Sequence, residues 1–339
     1  MKKLRLIKVT CVLAICLALI IPQTSCGMKQ PTQKTGFHLD TTCTIEIDNM
    51  STKQAEELID KTFEECDKYE KLFSRTIKNT DIYNINHAKG APVKVSPETI
   101  DLVSEALKVC EETDGLFDIT VGKLTALWDF SNPNPKVPKD SDIKKALATV
   151  GYENVIVGKD TIQLKNPETW LELGAIAKGY IADQLTCYLV ENGVTSGIIN
   201  LGGNIVTIGE MENNKGPWPI GIETPYSNRQ EITGKVMMQD QTLVTSGVYE
   251  RCFKENGKTY HHVLDPSTGY PVDSDILGIS IKSKENNSTW CDAYSTTCLL
   301  LGSEKAMEFI NGKEDFEFAL IKTDNTIEQS DKFNMEIVK

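Results

Sequence analysis

Glu172-Leu173-Gly174-Ala175-Ile176-Ala177-Lys178-Gly179-Tyr180-Ile181-Ala182-Asp183 changes its hydrophobic period in the middle. The run Thr169-Trp170-Leu171-Glu172-Leu173 leading into it reads as an extended, strand-like segment. Beyond Gly174 the residues Ala177, Ile181, Leu185 and Leu189 recur at helical spacing, so a helix is expected over about 175–192, stopped by Gly193. Small residues at such a junction allow close backbone approach, and the free N–H groups and positive pole of a helix start favour a phosphate. Lys178, one turn in, adds a full charge. The same residues also suit a plain strand–turn–helix with a solvated lysine.

The flanks decide the fold class. Towards the N-terminus, Thr41 to Asp48 alternates as a strand, and Ser51 caps a helix to about Phe73 with the stripe Ala55, Ile59, Phe63, Cys66, Tyr69 and Phe73. Arg75 to Asn86 reads as a polar loop. Ser96-Pro97-Glu98 starts a helix that turns Ile100, Val103, Leu107 and Cys110 inward and stops at Gly115. Residues 115–130 mix turn formers with large apolar residues, 131–140 form a surface excursion, 141–150 a helix, and 154–165 a hairpin turning at Gly158-Lys159-Asp160. Towards the C-terminus come a strand at 197–201, Gly202-Gly203-Asn204, several strands over 205–272, a strand at 277–282, a helix from Asp292 to Leu301 broken at Gly302, a helix at 304–311 and two closing strands. No internal repeat and no steady βαβ beat is present, so the class is α+β rather than a doubly wound sheet.

The first residues have a different character. Lys2, Lys3, Arg5 and Lys8 precede an apolar run, Val9–Ile21, of signal-peptide length and too short to span a membrane comfortably. Small residues then lead to Cys26, as at a bacterial lipoprotein cleavage site, although Gln23 stands where an aliphatic residue is usual. The expectation is a signal peptide over 1–25, lipid attachment at Cys26 and a polar tether to residue 36. That places the chain at the bacterial cell envelope, on the outer face of the cytoplasmic membrane. The remainder of the chain, about three hundred residues, suffices for one large core or two tightly joined lobes. The formal charge is −12, or −16 without the four basic residues of 1–25. A chain so acidic is a poor nucleic-acid binder. Of ten cysteines, Cys11 and Cys16 fall in the signal and Cys26 takes the lipid. The seven others form no C-x-x-C pair, which favours buried, reduced thiols over a disulfide frame.

The chemistry concentrates late. His261 and His262, half of the four histidines, sit together in His261-His262-Val-Leu-Asp265-Pro-Ser-Thr-Gly269-Tyr-Pro-Val272. His262 is the better candidate base, and Asp265 a residue that fixes the turn. Asp292, Ser295 and Thr296 share a helix face at i, i+3, i+4, where their oxygens suit a hard cation, Mg²⁺ rather than Zn²⁺. Asp292 with Thr296 also fits an ordinary N-cap with a back-bonded threonine. Asn200-Leu-Gly-Gly-Asn204 suits close contact with a ligand, or only a tight turn. Nucleotide-binding G-x-G-x-x-G, the P-loop, the G-x-S-x-G elbow and H-E-x-x-H are all missing from the sequence.

Taken in order, ELGAIAKGYIAD, NLGGN, TSGVYER…GKTYHHVLDPSTGYPV and DAYSTTCLLLG resemble the motifs of the ApbE family of flavin transferases, over about residues 37–322. The resemblance implies a single α+β domain, 37–339, with mixed and antiparallel sheets, flanking helices and an active site in a cleft between two lobes. It implies FAD as substrate, Mg²⁺ as cofactor, and transfer of FMN to a threonine or serine hydroxyl of a partner flavoprotein with release of AMP. That partner would be a subunit of an Rnf- or Nqr-type membrane redox complex. Carried across, the metal ligands are Asp292, Thr296 and the carbonyl of Ala175, with Ser295 where some members have an acidic ligand. Glu172, Lys178, the backbone near Leu264, Phe117, Asp118, Leu39 and Thr76 would line the FAD site, and Leu39-Asp40-Thr41 replaces a common Met-Gly-Thr. Two other readings share these residues: a Mg²⁺-dependent FAD pyrophosphatase giving FMN and AMP, and a non-catalytic flavin-binding lipoprotein. An adhesion or solute-binding lipoprotein is a more remote one, with no affinity for flavin.

Overall fold

Cys43, Ile45 and Ile47 are fully buried while the residues between them are not, the period of two expected of a strand with one face on the core. The computed structural model describes residues 31–212, 215–227, 231–284 and 286–338. Signal peptide and Cys26 lie outside the described residues. The elements in the first half are β1 (Thr32–His38), β2 (Thr41–Ile47), α1 (Thr52–Phe73), α2 (Asp81–His87), β3 (Val93–Lys94), α3 (Pro97–Glu112), α4 (Gly122–Trp128), α5 (Asp140–Leu147), β4 (Val155–Val157), β5 (Thr161–Leu164) and α6 (Ala177–Glu191). Next come β6 (Gly197–Leu201), β7 (Asn204–Ile208), β8 (Trp218–Glu223), β9 (Ile232–Met238), β10 (Gln241–Gly247), β11 (Cys252–Glu255), β12 (Lys258–His261), β13 (Ile276–Lys284), α7 (Ser288–Leu301), α8 (Ser303–Asn311), β14 (Glu317–Lys322), β15 (Ile327–Gln329) and β16 (Glu336–Ile337).

Among the described residues the main sheet has the order β1-β2-β6-β7-β10-β13-β14-β15, with every pairing antiparallel. Helices α1, α6 and α7 cover one face and share its core. On the other face, β8, β9 and β16 close a second core of Trp218, Ile220, Val236, Met238, Leu243, Phe333 and Met335. A third, aromatic-rich core joins α4, α5 and the β11–β12 hairpin around Trp128 and Leu264. The result is α+β with antiparallel sheets and flanking helices, in one domain. None of the seven described cysteines forms a disulfide, and Cys43, Cys66, Cys110, Cys291 and Cys298 are buried.

Several sequence expectations need correction. The stretch to residue 36, expected as a tether, already contains most of β1, so the ordered fold begins by Thr32 rather than at residue 37. The expected polar loop after Arg75 holds α2, capped by Thr80 and anchored by buried Ile82 and Ile85. The turn-rich run after Gly115 holds α4. Residues 169–173 join no named strand; Trp170 makes a single parallel bridge to Val121. Helix α6 starts at Ala177, two residues later than expected. In α3 the buried face is Thr99, Leu102, Val103, Ala106, Val109 and Cys110, with Ile100 and Leu107 at its margin. Three short strands, not two, close the chain.

Candidate functional site

Gly179 brings two helices into backbone contact. A Cβ there would lie 2.2 Å from the Ser288 carbonyl oxygen and 2.8 Å from the Asp292 Cβ. Only hydrogen fits, so the first turn of α6 crosses directly against the first turns of α7. Asp183 fixes the crossing from the other side. Its Oδ1 accepts the Ser288 N–H at 3.0 Å, and its Oδ2 accepts the Thr289 N–H at 2.9 Å and the Thr289 hydroxyl at 2.6 Å. A side chain of α6 thereby caps α7, whose own Asn287 makes no capping bond. Asp183→Ala leaves these buried donors unpaired, and the expected cost is about 2–4 kcal/mol. A fall of the urea midpoint with an unchanged slope checks it; an unaltered midpoint would refute the capping role.

One turn further along α7, the crossing delivers Asp292 to the start of α6. The carboxylate is 1 % exposed. Its Oδ2 accepts the Gly179 N–H at 2.9 Å, and its Oδ1 lies 3.4 Å from Lys178 Nζ. Lys178 Nζ is also 3.4 Å from the Gly174 carbonyl, which leans the ammonium over the turn before the helix. Ala175 lies in that turn. Glu172 closes it: Oε1 accepts the Gly174 N–H at 3.0 Å, and Oε2 accepts Arg75 Nε. Sequence reasoning missed Arg75; a lone arginine in an apparent polar loop carries no signal of its distant partner.

Ser295 is fully buried. Its hydroxyl donates to the Asp292 carbonyl at 2.8 Å and pairs with Ser246 Oγ of β10 at 2.6 Å, tying α7 to the sheet. Thr296 on the same face is partly exposed. Phe117 has its side chain in the main core. Asp118 is buried, and its carboxylate accepts the Thr120 N–H and hydroxyl and the Tyr152 N–H. Burial raises its pKa above the usual carboxylate value, against the lowering effect of those bonds. The neighbouring Ile119 carbonyl accepts the Glu172 N–H at 2.8 Å, which lays this segment beside the Gly174 turn. Thr76 is exposed, its hydroxyl 3.1 Å from Ser74 Oγ.

The Asn200–Asn204 motif is the tight turn between β6 and β7. Gly202 (φ 63°) and Gly203 (φ 103°) both take left-handed φ, and a Cβ on Gly202 would meet Thr41 Oγ1 at 2.3 Å. Asn204 Nδ2 beneath it is buried without a partner among the described residues. Asp265 fixes its turn as expected, accepting the Ser267 N–H and the Ser267 and Thr268 hydroxyls. Leu264 sits in the third core and bridges to Pro271.

The two histidines are held differently. His261 Nε2 lies 3.1 Å from the Val272 carbonyl, so it carries the proton, and Nδ1 is buried without a partner among the described residues. His262 comes directly after β12 and is partly buried. Burial first, then the positive charge of Arg251, pushes its pKa down to about 4; His261 and Lys178 lower it further. A base poised near 6.5, the ordinary value, is therefore not what the fold provides. The influence of Lys178 puts His262 within electrostatic range of the start of α6.

An oxygen-rich set with one carboxylate fits a cation of the Mg²⁺ kind, which keeps several waters and binds few protein carboxylates. Among the described residues no group of three or more histidine, cysteine, aspartate or glutamate side chains could hold a metal. Two surface hollows, about 300 Å³ beside Val95 and Asp101 and about 340 Å³ beside Ala126 and Lys136, include none of the candidate site residues.

The sequence profile of the ApbE family matches residues 39–320. The chain belongs to the ApbE family. It is 35% identical over 273 residues to the FAD:protein FMN transferase of Klebsiella pneumoniae (strain 342), covering 80% of this chain and 83% of the relative. It is 30% identical over 286 residues to the FAD:protein FMN transferase of Treponema pallidum (strain Nichols), covering 79% and 78%. Among solved structures, the ApbE protein of Thermotoga maritima superposes with a TM-score of 0.82 at 30% identity, over 90% of this chain and 98% of that one. The flavin transferase ApbE from Vibrio cholerae does so with a TM-score of 0.77 at 25% identity, over 90% and 99%. As a member of the ApbE family, the chain is an enzyme of the transferase class.

Proposed function

We propose that this chain transfers FMN from FAD to a threonine or serine hydroxyl of an acceptor flavoprotein, with AMP as leaving group. The observation that carries the reading is the meeting of Asp292 and Lys178 at the start of α6, with His262 within electrostatic range of Lys178. A diphosphate seated against the turn before α6 meets Lys178 at once, since the ammonium leans over the Gly174 carbonyl. Mg²⁺, held by Asp292, Thr296, Ser295 and the Ala175 carbonyl, would supply further positive charge against the diphosphate. Glu172, the Phe117–Asp118 backbone, the backbone near Leu264, Leu39 and Thr76 form the surrounding FAD surface, in a cleft between two lobes. The acceptor oxygen forms a bond to the FMN phosphorus, the bond to the AMP oxygen breaks, and the hydroxyl proton passes to His262.

The acceptor is a subunit of an Rnf- or Nqr-type membrane complex, reached at the outer face of the cytoplasmic membrane through a lipid on Cys26. The N-terminal signal pattern supports that placement. A co-incubation of the protein with FAD, Mg²⁺ and such a flavoprotein domain, analysed by mass spectrometry, should show FMN on a threonine. Rapid free FMN instead would make the enzyme a pyrophosphatase, and intact FAD would make it a carrier.

His262→Ala should retain FAD yet slow transfer about 10²-fold or more. Because its pKa is held near 4, His262 is already unprotonated at neutral pH. The acid limb of kcat/KM should therefore fall near pH 4, with no step near 6.5. Wild-type turnover in the variant, or an acid limb at 6.5, would remove His262 as the free-enzyme base.

A further inference from the structure

The loop between β1 and β2 is two residues long, and both are left-handed: Leu39 at φ 54° and Asp40 at φ 57°. Two-residue hairpin loops favour that geometry because it matches strand twist, but a leucine there carries a steric cost of about 1–2 kcal/mol. The tip must be held by something outside the hairpin. Arg251, just before β11, donates from one terminal guanidinium nitrogen to Asp40 Oδ2 at 2.9 Å and to the Asp40 carbonyl at 3.4 Å. The other end of the same residue faces His262. The Arg251 carbonyl accepts the His262 backbone N–H at 3.1 Å and lies 3.3 Å from Nδ1. A carbonyl has no proton to give, so Nδ1 must carry one.

We propose that Arg251 is a positioning residue for His262, holding the imidazole as the Nδ1–H tautomer with Nε2 presented as the free base, and that Asp40 anchors Arg251 from the tip of the first hairpin. This rests on the transferase reading for its catalytic meaning, though not for its geometry. The ion pair is exposed, with side chains 44% and 63% accessible, so its energy is small. Its value is placement. The backbone of Arg251 orients the ring while its guanidinium supplies a positive charge nearby. The other charged or titratable groups that act on His262, namely His261 from the same hairpin and Lys178 from α6, also disfavour a second proton on the ring. Asp40 is the carboxylate that partly offsets the charge of Arg251.

The two ends of the pair therefore predict opposite shifts. The chain has only four histidines, His38, His87, His261 and His262, so a ¹⁵N spectrum of the full-length protein can be assigned with His262→Gln as reference. Arg251→Gln removes the charge but keeps the backbone carbonyl. The His262 pKa should rise by about half a unit to one unit, less in high salt, with the Nδ1–H tautomer retained. Asp40→Asn leaves Arg251 unbalanced, and the His262 pKa should hold or fall. A pair that acted only by tightening the fold would, on loosening, raise the value in both variants alike. Such a common rise, no shift in Arg251→Gln, or an Nε2–H tautomer in the parent protein overturns the proposal. These readouts need neither FAD nor acceptor. Should they come out as expected while FMN transfer is undetectable, the positioning stands and the transferase reading fails. Where transfer is measured, Arg251→Gln should move the acid limb of kcat/KM upward with the FAD KM unchanged.

Discussion

Gly179→Ala is expected to slow FMN transfer by about 10²-fold and to lower stability, although in a typical exposed helix the same change would help. Alanine in a helix interior is favoured over glycine by roughly 0.5–1 kcal/mol. Against that stands a methyl group 2.2 Å from the Ser288 carbonyl and 2.8 Å from the Asp292 Cβ. The first neighbour is backbone, so no side chain can swing aside; α6 and α7 must separate. Overpacking of this kind costs roughly 3 kcal/mol. The balance is a net loss of about 2 kcal/mol or more, and its functional effect exceeds its effect on stability. Asp292 reaches the Gly179 N–H at 2.9 Å only because the helices touch. A separation approaching about 1 Å breaks that bond and draws the carboxylate away from Lys178, a misplacement that can cost about 10²-fold in rate. Turnover and the thermal midpoint would both be measured. A stabilised variant with normal turnover would show that the crossing is slack and that Gly179 serves only as a helix residue.

The sequence made this region readable in part, and the reason is physical. Period is a local property, so elements that bury a full stripe announce themselves. Ser51–Phe73 is such a case, with Ala55, Ile59, Cys66, Tyr69 and Phe73 buried as spaced and Phe63 half-buried against the same core. So is α6, whose Ala177, Ile181, Leu185 and Leu189 face inward. Seven-residue helices do not: Asp81–His87 offers little more than Ile82 and Ile85, fewer positions than a period needs. The candidate site obeys the same rule. Asp292, Ser295, Lys178 and Glu172 were legible from spacing and family resemblance, because each sits in a short motif. Arg75, the capping role of Asp183 and the pairing of Ser246 with Ser295 were not, since each joins a partner dozens of residues away. The lowered pKa of His262 was illegible for the same reason: it comes from groups that only the fold assembles.

Asp292→Asn is expected to reduce transfer by about 10³-fold while leaving the fold nearly intact. The two side chains have the same shape, so packing at this 1 % exposed position is kept. What changes is the pattern of donors and acceptors. The Gly179 N–H needs an acceptor at the Oδ2 position, which the amide oxygen can fill. The amide nitrogen then falls where Oδ1 was, 3.4 Å from Lys178 Nζ. A donor would face an ammonium that also only donates, and Lys178 would swing out towards solvent, since its side chain is already 28% exposed. The variant thus loses the one carboxylate of the oxygen set and displaces the lysine proposed to meet the diphosphate. Binding of Mn²⁺, monitored by electron paramagnetic resonance, should weaken beyond detection, and thermal unfolding should move by only a few degrees. FAD should still bind through Glu172 and the backbone of the Gly174 turn, only more weakly. If the Asp292→Asn variant bound Mn²⁺ as the parent does and turned over within about tenfold of it, the cation would have to be sought elsewhere, and the convergence of α6 and α7 would be a packing device alone.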